Sequence, residues 1–407
     1  MSEGHSGSNV TRLQEVRRRR ALRRLRRLVL ALAAAGLVAL YFTGAYSQLA
    51  LAARETFDSV RIALSPGAGW PVKTGIPEIL QAEPLSGGFV LLGQQDVGVW
   101  SGGGTELRTI QHGYARPVIS AGVARADDRA GNTRFCLYGR SGYELRVEGR
   151  TDTLYKRTFE QPILLAEMST GGSVAVVTQS DRFAAELTVW DSSMEFRYGW
   201  NPTDTEGTPV RVAFARDNKR LAVACLVAQG GSLQTNLYFL DIRSDEVTAS
   251  ATATGQPLRL HWLSNDRLLA IYDRTAIVYD AATGEQTAVY SFEGESLGAA
   301  SVSGQNCALL FSPDASDSPA RLVILDPEMQ VLGEASVPAP AEGVVCTRTA
   351  AYVLRQESVA AYSLAGEALW EAPTETKPLA VLDAKQLVVV TGGQAALLTQ
   401  PDDGQTA

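Results

Sequence analysis

Two kinds of hairpin alternate through most of this 407-residue chain, and their spacing restricts the fold more than any other feature. In the first kind an apolar strand follows a tight polar turn, as in "EPLSGGFVLLG", "FARDNKRLAVAC" and "HWLSNDRLLAIY". In the second an apolar strand ends on a polar residue and turns again, as in "ELTVWDSSMEF", "AIVYDAATGEQ" and "LVILDPEMQVL". Gly, Asp, Asn and Ser in the turns tolerate the backbone angles of a hairpin. The alternating Val, Leu, Ile and Ala between them read as strands. The last apolar residue before each second turn falls at Trp100, Val147, Trp190, Leu240, Tyr279, Leu325, Tyr362 and Leu398, at separations of 36 to 50 residues.

A four-stranded antiparallel sheet of this length cannot bury both faces alone, so such sheets stack around an axis until the ring closes. The spacing predicts an all-β fold, a β-propeller of eight blades. Seven is the alternative count, because the turn signals between Arg116 and Phe159 are weak around "ARADDRAGNTR". The last repeat, near Pro378 to Gln400, has three strands, and "SVRIALSPGAGWPV" ahead of the first repeat is placed to donate the fourth, which would remove exposed edges.

The N-terminal part has a different character. Through Arg27 there are nine arginines and two glutamates, whereas the remainder holds 28 basic and 42 acidic side chains. Residues 28–53 carry no charge, and at about 1.5 Å per helical residue that run exceeds the roughly 30 Å hydrocarbon core of a bilayer. Arg17, Arg18, Arg19, Arg20, Arg23, Arg24, Arg26 and Arg27 resist translocation and so set topology, while Tyr41, Phe42 and Tyr46 suit the membrane interface. A transmembrane helix retained as a signal anchor in the lipid bilayer is expected, in preference to a cleaved signal peptide or a buried core helix. The layout is a cytoplasmic tail at 1–27, the membrane span at 28–53, a stem with a possible ring-closing strand at 54–69, the propeller at 70–400 and a tail at 401–407. The expected localisation is the cell membrane, single-pass, with the ring extracytoplasmic. The acidic bulk would repel a polyanion, which argues against nucleic acid as a partner.

Chemistry-bearing motifs are sparse. Cys136, Cys225, Cys307 and Cys346 stand alone in apolar stretches, without zinc-ligand spacing, and read as small buried hydrophobes. His5 lies in the tail, His112 in a loop of "TIQHGYARP", and His261 beside Trp262 in a strand. "SGGGTE" at 101–106 runs into a strand rather than a helix, so it reads as a hairpin turn and not as a phosphate cradle. Asp127 with Asp128, and Asp402 with Asp403, are adjacent carboxylates in loop and tail contexts. No catalytic, cofactor-binding or metal-binding residues are assigned.

"VAFARDNKRLAVA", and "IVYDAATGEQ" with its strand-ending aspartate, resemble divergent WD-repeat or quinoprotein-like propeller blades. The layout as a whole resembles an uncharacterised domain-of-unknown-function family of single-pass bacterial proteins. "TVWD" occurs once, and no Gly-His pair precedes a blade, so no family site carries over. The expected function is a non-enzymatic scaffold binding a protein or cell-envelope ligand on the extracytoplasmic side. The alternative is an envelope hydrolase or lyase acting on a glycan at the channel mouth. Three or more ionisable groups converging in a deep axial pocket would favour chemistry, and a broad apolar or aromatic patch would favour binding.

Overall fold

The computed structural model describes residues 45–65, 67–122, 133–244, 246–312, 318–384 and 386–401. Among them lie eight four-stranded antiparallel sheets, which form an eight-bladed propeller. Blades 1 to 7 take consecutive strands, beginning with Ile79–Leu85, Pro117–Ala121, Ile163–Met168, Thr208–Phe214, Pro257–Trp262, Ser296–Ser303 and Ala341–Cys346. Blade 2 (residues 117–158), where turn signals are weakest, is a full four-stranded sheet, so the count is eight. Blade 8 has three strands from the C-terminal side, Pro378–Asp383, Leu387–Thr391 and Gln394–Leu397, and a fourth, Val72–Lys73, from ahead of blade 1.

That closing strand is two residues long, with Val72 opposite Ala395 and Lys73 opposite Gln394. Trp70 stacks on Phe89, and Phe89 on Trp100, so the same short segment also fills the junction between blades 8 and 1. Closure occurs just past residue 69 because residues 54–64 are helical. They belong to α1, Ala45–Leu64, whose Ala, Leu, Arg and Glu content favours helix and which stops ahead of Pro66.

The expected membrane span is not seen. Among the described residues no helix is long and apolar enough to cross a membrane, since α1 carries Arg54, Glu55, Asp58 and Arg61. Residues 28–44 of the expected span lie outside the described residues, as do the eight arginines at 17–27, Tyr41 and Phe42. Tyr46 falls in the first turn of α1.

Burial is graded across each blade. In blade 4 (residues 208–254) the second strand runs through a wholly buried stretch, Leu221 to Cys225, while the outermost strand alternates exposed and half-buried residues. Eight buried clusters occupy the junctions between blades; at the junction of blades 4 and 5, Phe239, Trp262, Tyr272 and Tyr279 dominate. Residues of strand period two therefore bury both faces of the inner strands, each against one neighbouring blade.

The strand-ending aspartates have a local task. Asp191 Oδ1 accepts hydrogen bonds from the Ser193 and Glu195 amides at 2.9 and 3.0 Å, Asp280 Oδ1 from those of Ala282 and Thr283 at 2.8 and 3.0 Å, and Asp326 Oδ1 from those of Glu328 and Gln330 at 2.9 and 2.8 Å. Each carboxylate closes the tight turn into the outermost strand. These amide bonds hold the Asp280 carboxyl below its ordinary range.

Candidate functional site

The innermost strand of each blade faces the axis, and most adjacent innermost strands contact one another around the ring. In seven of the eight the ladder to the second strand skips one residue near the strand's start: Leu80, Leu164, Val210, Leu258, Gly298, Glu342 and Leu379. A bulge of this kind leaves one residue unpaired and re-aims it. The bulged positions surround one mouth of the channel, where Leu80, Leu258 and Leu379 remain 47%, 37% and 42% exposed. Other exposed large apolar side chains, such as Val289, Val331 and Leu369, sit on outermost strands. Such scattered residues are ordinary; three leucines exposed at equivalent positions around one opening, in blades 1, 5 and 8, are less so.

Deeper in, the side of each innermost strand that faces the next blade carries polar residues in blades 1 to 6. Some are stitches. Gln81 Nε2 donates to the Ile119 carbonyl at 2.7 Å, and its Oε1 accepts from the Ile119 amide at 3.2 Å. Ser120 Oγ accepts from the Met168 amide at 3.1 Å, and Ser301 Oγ from the Cys346 amide at 2.9 Å. At matching registers blades 7 and 8 place Gly343, Val345, Ala380 and Leu382.

The charged residues are Glu83 of blade 1, Glu167 of blade 3, Arg211 of blade 4 and Arg259 of blade 5, joined by His261 of blade 5 and by Arg216 in the first hairpin turn of blade 4. Their fields overlap on the axis. Burial raises the Glu83 carboxyl above its ordinary range, against the Gln81 hydrogen bond and the charge of Arg259, which belongs to the opposite blade of the ring. Burial, and then the charge of Glu83, push the Glu167 carboxyl up to about 8. Burial, and then Arg259, push the His261 imidazole down to about 4. Burial also lowers the Arg211 and Arg216 guanidiniums from their usual range.

At the end away from the leucines, Glu167, Ser169, Arg216, His261 and Trp262 line a cavity of about 80 Å³. Arg216 Nη2 reaches the Gly304 carbonyl at 3.5 Å, linking blade 4 to blade 6 past the intervening blade. A larger cavity of about 470 Å³ opens at the ring seam, between Trp70, Pro71, Pro373, Glu375, Leu397 and Pro401. There the two-residue closing strand leaves the end of Gln394–Leu397 uncovered.

Of the residues the sequence singled out, His261 does reach the axis, because strand alternation sends Trp262 to the core and its neighbour to the channel. His112 does not; its Nε2 lies 3.3 Å from the Gly93 carbonyl and its ring stacks on Tyr114, whose hydroxyl donates to Glu144 at 2.7 Å. It acts as a strut between blades 1 and 2. "SGGGTE" is a hairpin turn in which Ser101 Oγ accepts from the Thr105 amide at 3.1 Å. All four cysteines are free and buried, and burial pushes the Cys346 thiol up to about 12. Among the described residues no group of three His, Cys, Asp or Glu side chains could hold a metal ion. His5, Asp127, Asp128, Asp402 and Asp403 lie outside the described residues. Glu83, Glu167, Arg211 and Arg259 escaped notice in the sequence. The available signal was a charge inside an otherwise apolar first strand, as in "LLAEM" and "PLRLHW".

Solved structures share the architecture. Sqt1 of Saccharomyces cerevisiae aligns with a TM-score of 0.60 at 8% identity, covering 81% of this chain and 98% of that one. The computationally designed protein Ika8 aligns at 0.59 and 12%, covering 80% and 98%. BamB of Moraxella catarrhalis aligns at 0.50 and 16%, covering 78% and 95%. At these identities the likeness is one of fold. No curated protein matches the sequence. Residues 127–396, from blade 2 through blade 8, match a family of unknown function, DUF5711, and with two thirds of its length matched the chain belongs to that family.

Proposed function

We propose that this protein is a non-enzymatic interaction scaffold that presents its propeller to a protein or cell-envelope ligand through the channel mouth that carries Leu80, Leu258 and Leu379. The observation that carries the reading is that these three leucines are held in water by bulges in three separate blades. Covering each leucine on binding is worth about 1–2 kcal/mol. We place the ring on the extracytoplasmic side of a membrane, tethered by residues 28–53 with the arginines inside. Two features support this: the uncharged run beside the arginine block, and the exposed apolar stripe of Phe57, Val60 and Leu64 along one face of α1.

The test is site-specific photocrosslinking in native membranes from Leu379 and, as reference, from Val289 on an outermost strand. Capture from Leu379 that is lost on Leu80→Asp supports the reading; equal capture from both positions, or none from Leu379, defeats it. For topology, Arg23, Arg24, Arg26 and Arg27 replaced by glutamate should alter protease protection of the C-terminus, and unchanged protection would count against the anchor.

The rival glycan hydrolase or lyase draws on Glu83 and Glu167. Acid–base chemistry on a glycosidic bond uses two carboxyl groups whose environments drive their proton affinities apart. Here burial moves both in the same direction, and a cavity of about 80 Å³ is well below the roughly 300–1,000 Å³ of ordinary ligand pockets. Both points support binding, whereas the convergence of Glu83, Glu167, Arg211, Arg259 and His261 on the axis is the feature that supports chemistry.

A further inference from the structure

We propose that the open outer edge of blade 8 is a strand-addition site whose occupant is this chain's own residues 402–407, which turn back and complete the outermost strand begun by Val72–Lys73. In blades 1 to 7 the outermost strand is five to eight residues long; in blade 8 it is two. The third strand, Gln394–Leu397, is paired on that side only at Gln394 and Ala395. Beyond Val72 the entering chain departs to blade 1. Trp70 stacks on Phe89, the Gly69 amide donates to the Gly103 carbonyl at 3.3 Å, and the Ala68 amide donates to Thr105 Oγ1 at 3.0 Å. The Leu398 amide donates inward, to the Leu387 carbonyl at 2.8 Å, whereas the Gly393 carbonyl accepts from the Thr74 amide on the outer side at 3.1 Å. Strand alternation therefore turns the Leu397 amide and carbonyl outward, beside the cavity of about 470 Å³. An edge of this kind takes extended backbone.

The register of two other blades says which backbone. In blades 4 and 5 the landmark residue, Leu240 or Tyr279, pairs with the residue seven positions on, Val247 or Gln286. One residue is then skipped, and Phe239 or Val278 pairs with Ala249 or Ala288. The skipped residue is a threonine in both, and its hydroxyl donates back to the third strand: Thr248 to the Phe239 carbonyl at 2.8 Å, Thr287 to the Val278 carbonyl at 3.1 Å. Leu398 is the counterpart of Leu240 and Tyr279, since each packs at its blade's junction with the preceding one. Seven positions on from Leu398 begins Gln405-Thr406-Ala407, the same triplet as Gln286-Thr287-Ala288. Pro401 lines the cavity, and Pro401-Asp402-Asp403-Gly404 supplies the residues of a tight turn. In that register Gln405 stands opposite Leu398 and Ala407 opposite Leu397, and the Thr406 hydroxyl meets the Leu397 carbonyl, the group turned outward. Val72 already holds Ala395, so the two short strands share one ladder without overlapping.

The experiment is amide hydrogen exchange on the full-length protein and on the chain lacking residues 402–407, read at Leu397 by fragment mass spectrometry with Val278 as reference. Leu397 should be protected in the full chain and exchange at least tenfold faster in the shortened one, with Val278 unchanged. Equal exchange at Leu397 in the two chains would overturn the proposal. Protection that falls on dilution of the full chain would assign the edge to a second copy and overturn it as well. Should the shortened chain fail to fold, Leu397→Cys with Ala407→Cys carries the test, because directly opposed strand residues lie within disulfide reach. Mild oxidation should join that pair and leave Leu397→Cys with Asp403→Cys reduced; any other pattern defeats the register. Neither measurement needs a partner, so both stand apart from the channel mouth.

Discussion

Arginine is used in two ways in this ring. On the outer strands and turns its guanidinium meets a carboxylate: Arg243 with Asp241 at 2.6 Å, Arg355 with Glu371 at 2.6 Å, and, fully enclosed on the Glu148 side, Arg108 and Arg146 with Glu148 at 3.0 and 2.7 Å. On the axis it meets backbone carbonyls instead. Exposed pairs are individually worth little, so the outer arrangement reflects solubility and turn geometry more than stability. There the charges of Arg211 and Arg259 act on the Glu167 carboxyl, and that of Arg259 on Glu83, through space rather than through a direct ion pair.

The largest test of this contrast is Glu148→Gln. Its side chain is fully buried, accepts hydrogen bonds from Arg108 and Thr153 and is ion-paired with Arg146, so neutralising it strands two guanidiniums and should cost about 3–5 kcal/mol in urea denaturation. A loss below about 1 kcal/mol would erase the distinction between paired and unpaired regions.

Next comes Glu167→Gln, read against pH. In the fold the carboxyl sits at about 8, above its ordinary 4.5. A raised carboxyl contributes its full linkage stability below the unfolded value and loses it as pH climbs through the folded one. Parent and variant should therefore match near pH 4 and diverge upward. At pH 9 the variant should be more stable by about 1–3 kcal/mol, discounted for the solvent that reaches the channel. A parent protein that gains stability relative to the variant on going from pH 4 to pH 9 would reverse the assigned sign.

Smaller again is Arg259→Gln. Removing a charge that makes no direct ion pair with a carboxylate should change stability by about 1 kcal/mol or less, in either direction, when followed by thermal unfolding at low salt. A loss above about 3 kcal/mol would mean that Arg259 is a structural strut. The smallest effect belongs to Arg197→Gln, whose exposed pair with Asp191 should be worth about 0.5 kcal/mol and fade as salt is raised.

Much of the architecture was readable along the chain. Each landmark from Trp100 to Tyr362 ends, or nearly ends, the third strand of its blade, and Leu398 follows the equivalent strand of blade 8. Blade 2 is weakly signalled because "ARADDRAGNTR" does not read as a compact turn in sequence, yet its strands are as apolar as the others. The helical residues 54–64 were missed because the stretch is short and Arg54, Glu55, Asp58 and Arg61 break up its apolar spacing along the sequence. On the axis, Gln81 and Glu167 looked like ordinary polar residues in strands, since nothing within ten residues says which polar positions meet.

Turn chemistry and strand alternation act between neighbours in the chain, so the sequence alone determined hairpins, repeat length and the demand for a late strand to be completed by an early one, and left the blade number between eight and seven. Only closure of the ring decided that Glu83, Glu167, Arg211 and Arg259 share one field, that His261 turns inward while Trp262 is buried, and that bulged leucines crowd one opening. Those groups come from blades far apart in sequence, and Coulomb interaction and desolvation depend on where side chains end up in space.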